Sequence, residues 1–324
     1  MTSFADISAL EHPVTRGIVL AVALVLLLTP VVAWLLTAAG RLPGDVWKRW
    51  RSWLIIAPLM AGPVLLGRGW TIAAITLLSL LCFREFSRAT GLFREYAICL
   101  AVTLGIGLVM FAVADHWYGL FVASFPIMIA IISAVGVGRD NPAGYIQRVA
   151  LGIFAFMLFG CALGHFGYFA NDSRFRPVLL TILLLVELND IAAYVVGKSL
   201  GRRKLSPNIS PGKTIAGFVG AVLIVSPLAA WLFGLIYPGT ELARPAIGLT
   251  FGFTLAVTGQ LGDLVLSAIK RDVGIKDWGA LIPGHGGLLD RFDSLLLAAP
   301  AAFHFIGYFV GVGLDQPTRI WSGG

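Results

Sequence analysis

Long apolar runs separated by short polar connections dominate the chain. Ten stand out, at roughly 17–39, 53–66, 69–83, 95–114, 117–138, 149–169, 177–199, 214–238, 245–269 and 289–312. A bilayer core of about 30 Å needs about 20 helical residues to cross it. A helix satisfies its own backbone groups in lipid, so such runs predict transmembrane helices. The second and third runs are short for a full crossing and also fit a re-entrant pair. The first is too long for the core of a cleavable signal and reads as a retained span. The pattern predicts an all-α, polytopic integral membrane protein of about ten transmembrane helices.

Composition supports this. Of 324 residues, 58% are hydrophobic and only 13% charged, whereas a soluble domain carries about 25% charged residues. The 38 glycines suit close helix packing in a bilayer. The net charge of +7 sits in short connections, so orientation explains it better than nucleic-acid binding, and no nucleic-acid partner is expected. Eighteen Lys and Arg lie on connections that follow odd-numbered segments and six on the opposite side. The positive-inside rule makes the first set cytoplasmic, with both termini facing outward across the cell inner membrane. A re-entrant second pair leaves that parity unchanged. Cys82, Cys99 and Cys161 all lie in apolar stretches and read as buried thiols. Trp47, Trp50, Trp53, Trp117 and Tyr118 read as interfacial belt residues, and the Arg84–Arg94 connection as a surface segment drawn to anionic lipid.

No linker, low-complexity tract or internal repeat divides the chain, but polar content rises after Glu187. The expected organisation is one membrane domain. Residues 1–176 form scaffold helices, and residues 177–324 form a catalytic region with cytoplasmic loops.

The chemistry concentrates in Ser267–Asp293. Asp263 lies just upstream, about two turns inside an apolar helix, where a charge is costly. Asp290 and Asp293 are three residues apart, so one helix face presents both. Three carboxylates at two adjacent helix ends suit a hard cation such as magnesium, which completes its shell with water and substrate phosphate. The competing reading is structural, with Asp263 paired to Lys270, and Asp290 to Arg291 or Lys276. Pro283-Gly284-His285-Gly286-Gly287 is a glycine-rich turn whose amides can hold phosphate oxygens. There His285 reads as a phosphate-contacting or turn-holding residue in preference to a metal ligand.

Ser267, Ile269-Lys270-Arg271, Lys276-Asp277, Gly279, Ile282-Pro283, His285-Gly286-Gly287-Leu288 and Asp290-Arg291-Phe292-Asp293 together resemble the long signature of the phosphatidate cytidylyltransferase family. These enzymes are multi-helix membrane proteins that couple CTP and phosphatidate to give CDP-diacylglycerol and pyrophosphate. The resemblance implies magnesium, with a monovalent cation such as potassium at a paired-metal site. It also implies that Asp263, Asp290 and Asp293 hold the metals; Lys270 and Arg271, with Lys213, are expected to serve catalysis by neutralising the triphosphate. It extends weakly upstream to about Glu187.

A second block, Asn189-Asp190 through Gly217, also looks characteristic of that family. Lys198, Arg202, Lys204 and Lys213 set several cations against a triphosphate. Ser210 and Thr214 can donate to phosphate at the start of a helix, where the dipole favours anions. Gly212-Lys213-Thr214 invites a P-loop reading, but Pro207 occupies the required first glycine and no strand precedes it. Asn189, Asp190, Lys198, Ser210, Lys213, Thr214, Lys276, Asp277, His285, Gly286, Gly287 and Arg291 form the expected nucleotide-binding set. Glu187 shares the helix of Asp190, as a site member or a partner for a basic group.

The expected chemistry is attack of a lipid phosphate on the α-phosphorus of CTP, carried by positioning and charge neutralisation. A CTP-dependent polyprenol kinase would instead transfer the γ-phosphate. A transporter would show paired broken helices in repeated halves, which are not seen. The expected partners are CTP, phosphatidate or a related phospholipid, membrane lipids and a second copy in a homodimer.

Overall fold

A computed structural model describes residues 7–38, 46–279, 286–311 and 319–323. Helices α1 (Pro13–Ala38), α2 (Val46–Leu66), α3 (Arg68–Thr90), α4 (Tyr96–Ala114) and α5 (Tyr118–Val137) come first. A continuous stretch follows, α6 (Tyr145–Ala155) running through π-type turns at Phe156–Ala162 into α7 (Leu163–Tyr168). Then come α8 (Phe175–Leu200), α9 (Ile215–Ile236), α10 (Pro245–Asp272) and α11 (Leu289–Val310). Among the described residues nine helical stretches are long and apolar enough to cross a membrane, and Trp50–Leu66 is a shorter apolar one. The chain is thus an all-α, multi-pass membrane protein.

The two short apolar runs belong to helices of 21 and 23 residues, joined at Gly67 in the left-handed region (φ 123°). At about 1.5 Å per residue they are about 32 and 35 Å long, although the apolar part of α2, Trp50–Leu66, is shorter than a full span. The apolar windows looked short because α2 begins with Lys48, Arg49 and Arg51, and α3 ends with Arg84, Glu85 and Arg88.

The α6–α7 stretch is the most deeply buried of the candidate spans, with Phe156, Phe159 and Tyr168 fully buried within it, Phe169 buried just after it and Phe121 of α5 packed against Tyr168. Outward faces are apolar too, with Leu20, Leu24 and Leu27 on α1 and Leu223 and Trp231 on α9 exposed. In water that surface would be prohibitive; against lipid it costs nothing.

In the C-terminal part α9 packs on α8 and α10, and α10 on α11. The α8–α9 contact is close because both sides are glycine. A Cβ on Gly217 would lie 2.3 Å from the Ala193 carbonyl oxygen, and one on Gly197 would lie 2.9 Å from Thr214 Oγ1. Between these helices, β1 (Lys204–Ser206) and β2 (Ser210–Thr214) pair antiparallel, Lys204 opposite Thr214 and Ser206 opposite Ser210. The basic connection expected as a loop is therefore a small ribbon. Pro207 and Asn208 in its turn have the fixed φ and turn tolerance such a reversal uses.

Candidate active site

Five helix ends and the ribbon meet at one end of the bundle. They are the C-terminal ends of α3, α8 and α10 and the N-terminal ends of α9 and α11. Thr214 caps α9, its Oγ1 accepting from the Gly217 amide at 3.1 Å. That cap fixes where the preceding residue, Lys213, leaves the ribbon.

The start of α11 is held by two carboxylates. Glu85, on α3, accepts from the Leu288 amide at 3.0 Å and the Leu289 amide at 2.8 Å. These are orphan amides of a helix N-terminus, where negative charge is also favoured by the dipole. Asp290 turns back on the connection from α10. Its Oδ1 pairs with Lys270 at 2.8 Å, and its Oδ2 accepts from the amides of Trp278 and Gly287, both at 2.9 Å. Gly286 has φ +80°, and a Cβ there would meet Asp290 Oδ2 at 2.8 Å; one on Gly287 would meet Glu85 Oε2 at 2.7 Å. Glycine at both positions lets the carboxylates reach the backbone. Trp278 is buried with its ring 5.5 Å from Phe86, which anchors the same connection to α3.

Beside this clamp lies an acidic cluster. Asp263 on α10 pairs with Lys213 at 2.7 Å and accepts from Ser267 Oγ at 3.0 Å. Lys213 also donates to the Gln260 carbonyl at 3.2 Å. Asp190 on α8 accepts from Ser294 Oγ at 2.9 Å. Asp190 and Asp263 both act electrostatically on the buried Asp293. Arg291 faces this group, attracting Glu187 and Asp190, and its buried Nε has no hydrogen-bond partner.

The carboxylates that converge are therefore Asp190, Asp263 and Asp293, while Asp290 holds the connection. Among the described residues no three His, Cys, Asp or Glu side chains are gathered closely enough to form a metal site as they stand. Their chemistry still fits a hard divalent cation, since clustered carboxylate oxygens repel one another until a cation joins them. The ion pairs weighed from sequence do form, but with other partners, Asp263 with Lys213 and Asp290 with Lys270.

The remaining expected residues divide. Arg271 Nε donates to the Ile209 carbonyl at 3.3 Å, tying the ribbon's turn to α10. Ser210 starts β2. Asn189 is buried, donating to the Ala256 carbonyl at 3.3 Å, and so joins α8 to α10. Lys198 lies over the Tyr194 ring at 5.8 Å. Lys276 and Asp277 are exposed on the connection. His285 lies outside the described residues.

Sequence reasoning missed Glu85, Gln260, Trp278 and Ser294. Glu85 left one signal, being the lone acid between Val46 and Arg94.

A model of the cytidylyltransferase family matches residues 47–309. The chain is 34% identical over 275 residues to Escherichia coli K12 "Uncharacterized protein YnbB", covering 82% of this chain and 88% of that one. It is 50% identical over 149 residues to the phosphatidate cytidylyltransferase of Bacillus subtilis, covering 44% of this chain and 54% of that enzyme. It is 31% identical over 256 residues to the phosphatidate cytidylyltransferase of Staphylococcus aureus strain COL, covering 76% and 94%. With the match running from α2 to the last turn of α11, through every element that meets at this end of the bundle, the chain belongs to the cytidylyltransferase family and is a nucleotidyltransferase enzyme.

Proposed function

We propose that the protein transfers the cytidylyl group of CTP to phosphatidate, releasing pyrophosphate and forming CDP-diacylglycerol for phospholipid biosynthesis. The observation that carries this reading is the meeting of Lys213, on the basic ribbon, with Asp263, Asp190 and Asp293 at the bundle end. Cations for a triphosphate and oxygen ligands for a cation share one place. The names of the Bacillus and Staphylococcus relatives support phosphatidate as the acceptor.

A phosphate oxygen of the lipid attacks the α-phosphorus of CTP, and the bond to the β-phosphate oxygen breaks to release pyrophosphate. Positioning and charge neutralisation are the protein's tasks in such a transfer. Lys213 and Lys204 on the ribbon, and Arg202 just before it, attract the triphosphate. Arg271 keeps the ribbon against α10, and the Lys270–Asp290 pair keeps the α10–α11 connection folded. Asp263 and Asp293, with Asp190 beside them, would hold Mg2+, which supplies charge neutralisation to the phosphates. Asp290, already engaged by Lys270 and two backbone amides, would support that site from the connection. A monovalent cation such as K+ is the second ion in this reading. The site faces the cytoplasm across the inner membrane, because 18 of 24 basic residues lie on its side. Residues 1–176 serve as scaffold and 177–324 carry the catalysis, and the working unit is a homodimer.

The test is purified protein in detergent with phosphatidate and CTP labelled on the α- or γ-phosphate. The α-label should enter lipid and the γ-label should leave as pyrophosphate. Transfer of the γ-label to lipid, or no lipid product at all, overturns the reading.

A further inference from the structure

An apolar groove runs along the lipid-facing side of α2 and α3 and ends at the candidate site. Its open volume is about 120 Å³, and its walls include Pro63 on α2, Ala74, Leu78 and Leu81 on α3, and Leu288 and Phe292 at the start of α11. Leu288 and Phe292 are buried, whereas Leu59 and Leu77 at the lip are exposed. The groove is therefore closed on the protein side and open toward the bilayer. From Thr71 to Leu81 it spans ten residues of α3, about 15 Å along the helix axis.

Its upper end is chemically distinct. Phe292 adjoins Asp293 of the acidic cluster, and Leu288 is one of the residues whose amide Glu85 holds. A lipid whose phosphate reaches that cluster must leave its glycerol and chains on the bilayer side, and the groove begins there.

We propose that this groove seats one acyl chain of the lipid acceptor, running from Leu288 and Phe292 down α3. The proposal rests on the reading of the acceptor as a phosphorylated diacyl lipid. About 120 Å³ is somewhat less than the ~150 Å³ apolar cavity that accommodates a benzene molecule. The groove thus grips a short length of chain, and the rest lies in the bilayer. Moving a chain from lipid to such a groove exchanges one apolar surrounding for another, so little affinity arises from burial. What the groove supplies is position. It fixes the depth and heading of the headgroup, and misplacement by about 1 Å can cost orders of magnitude in rate. Ala74 is the place to test this, because a large side chain there fills the groove without touching the acidic cluster.

Full-length wild type and Ala74→Trp are reconstituted in phosphatidylcholine vesicles holding a trace of phosphatidate with a diazirine midway along one chain. Photolabelling of wild type should concentrate in 59–64 and 71–81. Ala74→Trp should lose that label while keeping label on α1 and α9. Turnover of dioleoyl phosphatidate should fall about tenfold in Ala74→Trp, with water-soluble dihexanoyl phosphatidate unaffected. Leu78→Trp is the second variant, should the first not fold. Equal labelling of all lipid-facing helices, unchanged groove labelling in the variants, or the same loss for both chain lengths overturns the groove. Groove labelling without wild-type turnover keeps the groove and defeats the acceptor assignment. Wild-type turnover without groove labelling does the reverse.

Discussion

Glu85→Ala removes both acceptors that hold the start of α11, from a helix roughly 200 residues away along the chain. Hydrogen bonds to a charged group contribute about 1.5–3 kcal/mol each. The favourable charge at a helix N-terminus adds about 0.3–1 kcal/mol. Leu288 and Leu289 are both buried, so water replaces the carboxylate poorly. The two bonds and the dipole together contribute about 3–7 kcal/mol to keeping the connection docked. The loss is local, because Trp278 still packs on Phe86 and α11 still packs on α10. A loss at the lower end of that range, about 3 kcal/mol, lowers the docked fraction relative to the undocked by about a hundredfold. Hydrogen exchange of a peptide spanning Gly287–Leu289 in detergent reads this directly. Exchange should accelerate by about that factor while the melting temperature moves only a few degrees. The rate with CTP and phosphatidate should fall in parallel to the extent that the undocked connection becomes the major form. Glu85→Gln, with one carbonyl left to accept, should lie between. Unchanged exchange in Glu85→Ala, together with unchanged activity, would refute the clamp.

Asp290→Asn should cut product formation by several orders of magnitude and also lower the melting temperature. It strips the buried Lys270 of its partner, a change that costs about 3–5 kcal/mol. Asp293→Asn should abolish activity yet leave the melting temperature unchanged or raised, because it relieves repulsion from Asp263 and Asp190; a large drop in melting would contradict the cluster. Lys213→Ala should raise the KM for CTP, and unchanged KM and turnover would remove it from the nucleotide site. Single cysteines at Lys204 and Lys276 should resist impermeant thiol reagents in intact cells, and labelling of either would reverse the orientation. At the opposite side of the sequence pattern, Asp115 binds the backbone amides of Trp321 and Ser322, and the Ser322 hydroxyl holds its carboxyl below the usual range. Because the folded form is the better acid, this tether is intact above about pH 4 and is lost as pH falls through the lowered value. Protease protection of the C-terminal segment should follow that sign, and Ser322→Ala should move the loss to higher pH.

Much of the architecture is legible one residue at a time. In lipid, an apolar run of about 20 residues has few alternatives to a helix. That is why the ten runs became ten helical stretches, with the largest differences in bounds at the start of α2 and the end of α3. Those ends carry charged turns that hydropathy counts against a helix, although Arg51, Arg84 and Arg88 are exposed. The glycine turn, the ribbon's cations and the carboxylates of α8, α10 and α11 also announced themselves, because charge beside a membrane needs a reason. Their partners did not. Whether Asp263 meets Lys270 or Lys213 depends on how α10 is rotated against the ribbon, and that rotation follows from close contacts such as Gly252 on Ser226 and Gly262 on the Asp293 carbonyl. Asp190 reaches the cluster where α8 meets α11 at Ser294, and Asp290 turns to Lys270 and to the amides of a connection folded back onto α3. Glu85 looked like one charge in a basic surface connection, and only the packing of α3 against the start of α11 makes it a clamp. Sequence thus determined which segments lie in lipid and which residue types could do the chemistry. Tertiary structure decided which of them meet, since the phase and height of each helix are set by side-chain packing between segments far apart in the chain.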